Sequence, residues 1–189
     1  VQTWESQVHF DYLKGRSMKR ISILVFAAMA ACAIGAVLFA AGRANNEASP
    51  IFGIKIPPGY RDWRVISVAH EAGNNNDLRA ILGNDVAIKA YREGKLPFPN
   101  GTIIVRLAWS YVASEENNKV FGRAQSFVAG PPINIQLGVK DSKKYASTGG
   151  WGYAQFENGK PADEAVHKTC FPCHDLEKAH DLVFTRYAR

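Results

Sequence analysis

The chain has 189 residues, with 23 Lys and Arg against 17 Asp and Glu, and 47% of its residues are apolar. That composition describes a globular protein and excludes wholesale disorder; 16 Gly and 9 Pro without a fixed period also exclude a collagen-like fibre. The charge is uneven: residues 1–44 carry five Lys/Arg against two acids, and residues 45–189 carry 18 against 15. The larger part is close to neutral, so no nucleic-acid partner is expected.

Residues 21–42 contain no charge, follow Lys19 and Arg20, and lead into Arg43 and Ala44. A basic start, an apolar middle and a small-residue exit describe a secretory signal, and the length also suits one membrane-spanning helix. The chain then divides into three parts. Residues 1–17 match no targeting pattern and are expected to be a non-native upstream extension. Residues 18–44, beginning at Met18, are a signal peptide or membrane anchor, and residues 45–189 form the functional domain. Either reading of 21–42 puts that domain in the periplasm, released or tethered to the inner membrane.

Within the domain, Pro50, Pro57 and Pro58 mark an extended start and residues 63–69 read as a first strand. Asp77 is placed to cap a helix in which Leu78, Ile81 and Leu82 have helical spacing and Gly83 is the stop. A second short helix runs from a cap at Asp85 to Gly94. The period then changes. Residues 102–112 alternate, with Ile103, Val105, Leu107, Trp109 and Tyr111 on one face and Ile104, Arg106 and Ala108 on the other.

Residues 115–118 read as a turn, 120–129 as a strand ended by Gly130-Pro131-Pro132, and 133–139 as another. Asp141 is placed to cap a short helix through Ala146, and residues 151–156 read as the last strand. Pro161, Asp163 and Glu164 open a C-terminal helix, with the acids in its first turn. The expected fold is α+β: an antiparallel β-sheet of about five strands with short helices, a C-terminal helix carrying the functional motif, and the N-terminal signal or anchor helix.

That motif is Cys170-Phe171-Pro172-Cys173-His174. In an exported protein C-x-x-C-H reads as a c-type haem attachment site. Two thiols one helical turn apart reach the two vinyl groups along one porphyrin edge, and the adjacent His174 becomes the proximal iron ligand. One covalent haem c is therefore the expected cofactor. Phe171, between the cysteines, is expected against the haem. So are several of Trp63, Phe98, Trp109, Tyr111, Phe127, Trp151, Tyr153 and Phe156, because a porphyrin needs flat apolar walls. Three other readings of the thiols stay open: a redox dithiol, a zinc site shared with nearby histidines, or a structural disulfide.

The only methionines are Met18 and Met29, so residues 45–189 hold no Met and a His/Met electron-transfer centre is excluded. His167 and His180 lie too near His174 in sequence to reach the opposite haem face, which leaves His70 as the candidate sixth ligand. Without it the iron keeps an open position and binds ligands. With it the protein is a bis-His electron carrier.

The domain resembles the cytochrome P-460 family, which includes the cytochromes c′-beta. The residues carrying the resemblance are Tyr60-Arg61-Asp62-Trp63, residues 78–84, Phe98-Pro99-Asn100-Gly101-Thr102, the late C-x-x-C-H and Phe184-Thr185-Arg186-Tyr187. The resemblance implies a small antiparallel sheet with helices, one haem per subunit and a homodimer, with a redox partner cytochrome possible.

It also implies one of two functions: binding of diatomic or nitrogen-oxide ligands such as NO and CO behind an apolar distal cap, or oxidation of hydroxylamine. The second uses a lysine cross-linked to the macrocycle. On the strand after Pro-Asn-Gly-Thr, where that lysine is expected, this chain has Arg106, a poor nucleophile. Arg106 at the haem would bind a propionate or a polar ligand; as a solvated strand residue it would do neither. Glu157 is a candidate distal base, as are Asp163 and Glu164, which also suit the first turn of the helix.

Overall fold

In the computed structural model, which describes residues 47–189, strand follows strand in a six-stranded antiparallel meander. The upstream extension, the signal or anchor at 18–44 and Cys32 lie outside the described residues. The strands are β1 (Arg64–Glu71), β2 (Asp77–Gly83), β3 (Ile103–Ala113), β4 (Phe127–Lys140), β5 (Trp151–Glu157) and β6 (Lys160–Pro161), and each pairs with the next. The helices are α1 (Asp85–Glu93), α2 (Glu115–Phe121) and α3 (Glu164–His174). Among the described residues no helix is long and apolar enough to cross a membrane.

The α+β antiparallel architecture agrees with the sequence reading, but several elements differ. Residues 77–83 are a strand, not a helix. Every residue of β2 pairs with β1, β3 or both, and this tertiary hydrogen bonding overrides a local spacing that suits either structure. Residues 115–118 are the start of α2 rather than a turn. Ser114 Oγ accepts from the Asn117 amide, and Gly122 ends the helix in the left-handed region.

The next strand therefore begins only at Phe127, and it runs through Gly130-Pro131-Pro132. The prolines lack N–H donors, and register shifts around Trp109 in the β3–β4 ladder accommodate them. The cap of α1 is Asn84, whose Oδ1 accepts from Ala87 N at 3.0 Å, one residue before the expected Asp85.

Register sorts the sheet into two faces. Leu82, Val105, Leu137 and Ala154 form one cross-strand row, and Ala80, Leu107, Ile135 and Phe156 another. These rows make one face apolar, and Val105 and Phe156 are at most 1% exposed. The other face carries Ile81, Arg106, Gln136 and Gln155 in one row, Arg79, Ala108 and Asn134 in the next, and Gly83, Ile104, Gly138 and Tyr153 on the far side. The C-terminal tail returns to the sheet, where Ala188 N donates to Ile66 O at 2.9 Å.

Candidate functional site

The α3 helix begins as its sequence demands. Asp163 Oδ1 caps it by accepting from Val166 N at 2.8 Å. His167, 1% exposed, fastens it to the sheet: its Nδ1–H donates to Asp163 O at 2.7 Å and its Nε2 accepts from Gln155 N at 3.1 Å. Residues three and four apart share a helix face, so Cys170, Cys173 and His174 present together. All three line a cavity of about 860 Å³ between α3, the tail and the second face of the sheet. Phe171 does not line it and packs against the apolar core. One residue along a helix is about 100° of rotation, which turns Phe171 off the cysteine face.

Both cysteines are free thiols, Cys170 half-buried and Cys173 exposed. Cys170 Sγ donates to Val166 O at 3.7 Å, and burial, followed by the neighbouring Cys173, pushes this thiol above its usual range. His174 Nδ1 donates to Leu182 O at 2.7 Å. A carbonyl only accepts, so the proton is on Nδ1 and the lone pair is on Nε2. Burial pulls the imidazole below its ordinary range, against the Leu182 hydrogen bond, which favours the neutral, metal-binding form. Tyr153 and Phe184 flank the ring at centroid distances of 4.5 and 5.3 Å.

The sheet wall is polar. Asp77, with 4% of its side chain exposed, pairs with Arg79 Nε at 2.9 Å and also with Arg106 Nη2. Arg106 Nη1 donates to Asn134 Oδ1 at 3.0 Å and to Gln136 Oε1 at 3.1 Å. Burial and the Arg79 charge lower the Arg106 pKa, while Asp77 and Glu71 oppose the shift. Of the two places open to Arg106, the fold selects the cavity wall.

The other predicted residues fall elsewhere. His70 is outside the cavity lining: its ring stacks on Tyr111 at 3.9 Å and Nε2 meets Asn76 Oδ1 at 3.2 Å. Alternation turns His70 to the face opposite its neighbour Glu71, which does line the cavity. Glu157 is exposed at the end of β5, accepts from Gln155 Nε2 at 2.8 Å and is not part of the lining. Of the expected aromatic walls, Trp151 and Tyr153 line the cavity, whereas Phe156 belongs to the opposite face.

Sequence reasoning missed Asp77, Arg79, Asn134, Gln136 and Leu182. The brief alternation Asp77-Leu78-Arg79-Ala80 was the available signal for the first two, broken by the apolar run through Leu82. Among the described residues no three His, Cys, Asp or Glu side chains gather to hold a metal ion, so the zinc reading finds no ligand set.

The donor set fits a haem. Two thiols and an imidazole with a free Nε2 share one helix face, beside aromatic walls. Trp151 Nε1 and Tyr153 Oη are buried without protein partners, and such orphaned groups point to an absent ligand. Fold and site together define a haem-binding α+β domain with its C-x-x-C-H motif at the C-terminal end. A family model described as Cytochrome P460 matches residues 57–185. The chain belongs to the cytochrome P460 family, and it is a haem-binding cytochrome. No curated protein matches it.

Proposed function

We propose that Cys170 and Cys173 would hold one haem c covalently, with His174 Nε2 as the iron's proximal ligand, and that the domain binds a small nitrogen-oxide or diatomic molecule at the haem. The Cys170 and Cys173 thiols would supply the sulfurs of its two thioether links. When bound, haem would supply an iron centre able to hold a small ligand.

The observation that carries the reading is the His174 tautomer. Leu182 O accepts a hydrogen bond from Nδ1–H, which leaves the Nε2 lone pair free on the face shared by both thiols. His70 and His180 do not line the cavity, and His167 uses both ring nitrogens, which favours an open position over a bis-His centre. Arg106 and Arg79 orient hydrogen-bond donors along the sheet wall, in place of the apolar cap that the c′-beta resemblance implies. That wall suits a polar nitrogen-oxide ligand better than carbon monoxide.

Hydroxylamine oxidation is the second reading, favoured by the carboxylates of Asp77 and Glu71 at the same wall as possible proton acceptors. Optical spectra of protein matured with haem-attachment machinery separate the two. A reduced Soret band in the ordinary c-type position that shifts on adding NO supports the binder. A red-shifted band supports the cross-linked enzyme, and a sharp six-coordinate spectrum before any gas is added overturns the open site.

A further inference from the structure

Two consecutive residues without glycine's freedom, Asp181 at φ 51° and Leu182 at φ 64°, occupy the left-handed region just after the α3 helix and the 3-10 helix that continues it (Asp175–His180). Such backbone persists only when its surroundings hold it. Here the hold is a buried ion pair. Lys140, at the end of β4 and 5% exposed, places Nζ 2.7 and 2.9 Å from the two Asp181 carboxylate oxygens and 3.2 Å from Gly149 O. The same ammonium lies 5.1 Å from the centroid of the Trp151 ring. Asp181 Oδ2 also accepts from Phe98 N at 2.8 Å. Gly149, at φ 65°, allows Leu182 to pack close, since a Cβ there would stand 2.6 Å from Leu182 Cδ1. The carbonyl that this arrangement aims is the one that accepts the hydrogen bond from His174 Nδ1–H.

Resting on the reading of His174 as proximal ligand, we infer that Lys140 is a positioning residue for that ligand: through Asp181 it fixes the Leu182 carbonyl and so sets how strongly His174 Nε2 donates to the iron. A firm Nδ1–H···O=C bond raises the basicity of Nε2, and a stronger donor stabilises oxidised iron. The ion pair touches neither iron nor ligand, and it joins elements 41 residues apart in the chain.

The test uses the haem-loaded protein and two readings besides activity: the reduction potential and the iron–histidine stretching frequency. Asp181→Asn keeps an acceptor for the Phe98 amide and removes the charge. The double variant Lys140→Met with Asp181→Asn leaves no unpaired buried ion. Both are expected to raise the potential and lower the stretching frequency while the haem stays attached, whereas Lys140→Arg with Asp181 retained keeps the ion pair and is expected to leave both near the parent values. Unchanged potential and stretch in a haem-loaded Asp181→Asn protein overturn the inference. That variant alone decides if the double variant fails to load haem. A parent protein that carries no haem overturns the proximal-ligand reading itself, a separate result.

Discussion

On the helix side of the cavity, Cys170, Cys173 and His174 come from five consecutive residues on one helical face. On the sheet side, Asp77, Arg79, Arg106, Asn134 and Gln136 come from three strands and meet only through cross-strand register. The first side is a local device whose geometry is given by 3.6 residues per turn. The second is a non-local one, held by charge pairing among largely buried groups. The two sides therefore differ in what breaks them: the helix side fails by losing its cofactor, and the sheet side by losing stability and ligand preference.

The largest expected effect is on the helix side. Cys170→Ala with Cys173→Ala removes both proposed attachment points, and intact mass and peroxidase staining of denatured protein are expected to fall to the apoprotein result. If haem remains attached, the helix side is not the attachment site.

The sheet side is broken by Asp77→Ala, which strips two guanidiniums of their shared carboxylate. Removing one partner of a buried pair costs about 3–5 kcal/mol, read by denaturant unfolding, with haem attachment unchanged. Arg106→Leu sharpens the contrast in function. One charge-assisted hydrogen bond is worth about 1.5–3 kcal/mol, so affinity for hydroxylamine or nitrite is expected to fall roughly 10- to 100-fold, with carbon monoxide affinity nearly constant.

Tyr153, on β5 beside His174, and Tyr91, which donates to Thr185 O in the tail, test by pH how the surrounding elements hold the site. Burial pushes both phenols well above their ordinary value of 10.0. Above pH 10 the unfolded chain releases these protons and the folded one retains them, so stability falls as pH rises. Tyr91→Phe and Tyr153→Phe are each expected to flatten the alkaline limb of a stability–pH curve measured by circular dichroism. The smallest effect is that of Gly149→Ala, about 1–2 kcal/mol for an alanine at φ 65°. The intruding Cβ meets only the flexible end of Leu182, so thermal unfolding is expected to shift by a few degrees.

Much of the fold was legible because local rules and tertiary structure agree: β1, β3, β5, α1 and the cap of α3 all lie close to where alternation and capping put them. They disagreed at 77–83, where the spacing of Leu78, Ile81 and Leu82 suits a helix but pairing on both edges makes a strand. That error also hid Asp77 and Arg79, because only a strand presents both on one face. By itself, the sequence determined that two thiols and an imidazole share a helical face, since this needs nothing beyond the helix's own period. Only the tertiary structure decided which nitrogen of His174 carries the proton, that His70 stacks on Tyr111 outside the cavity, and that Arg106 stands at the cavity wall. Each of those depends on a carbonyl or a neighbouring strand brought in from a distant part of the chain.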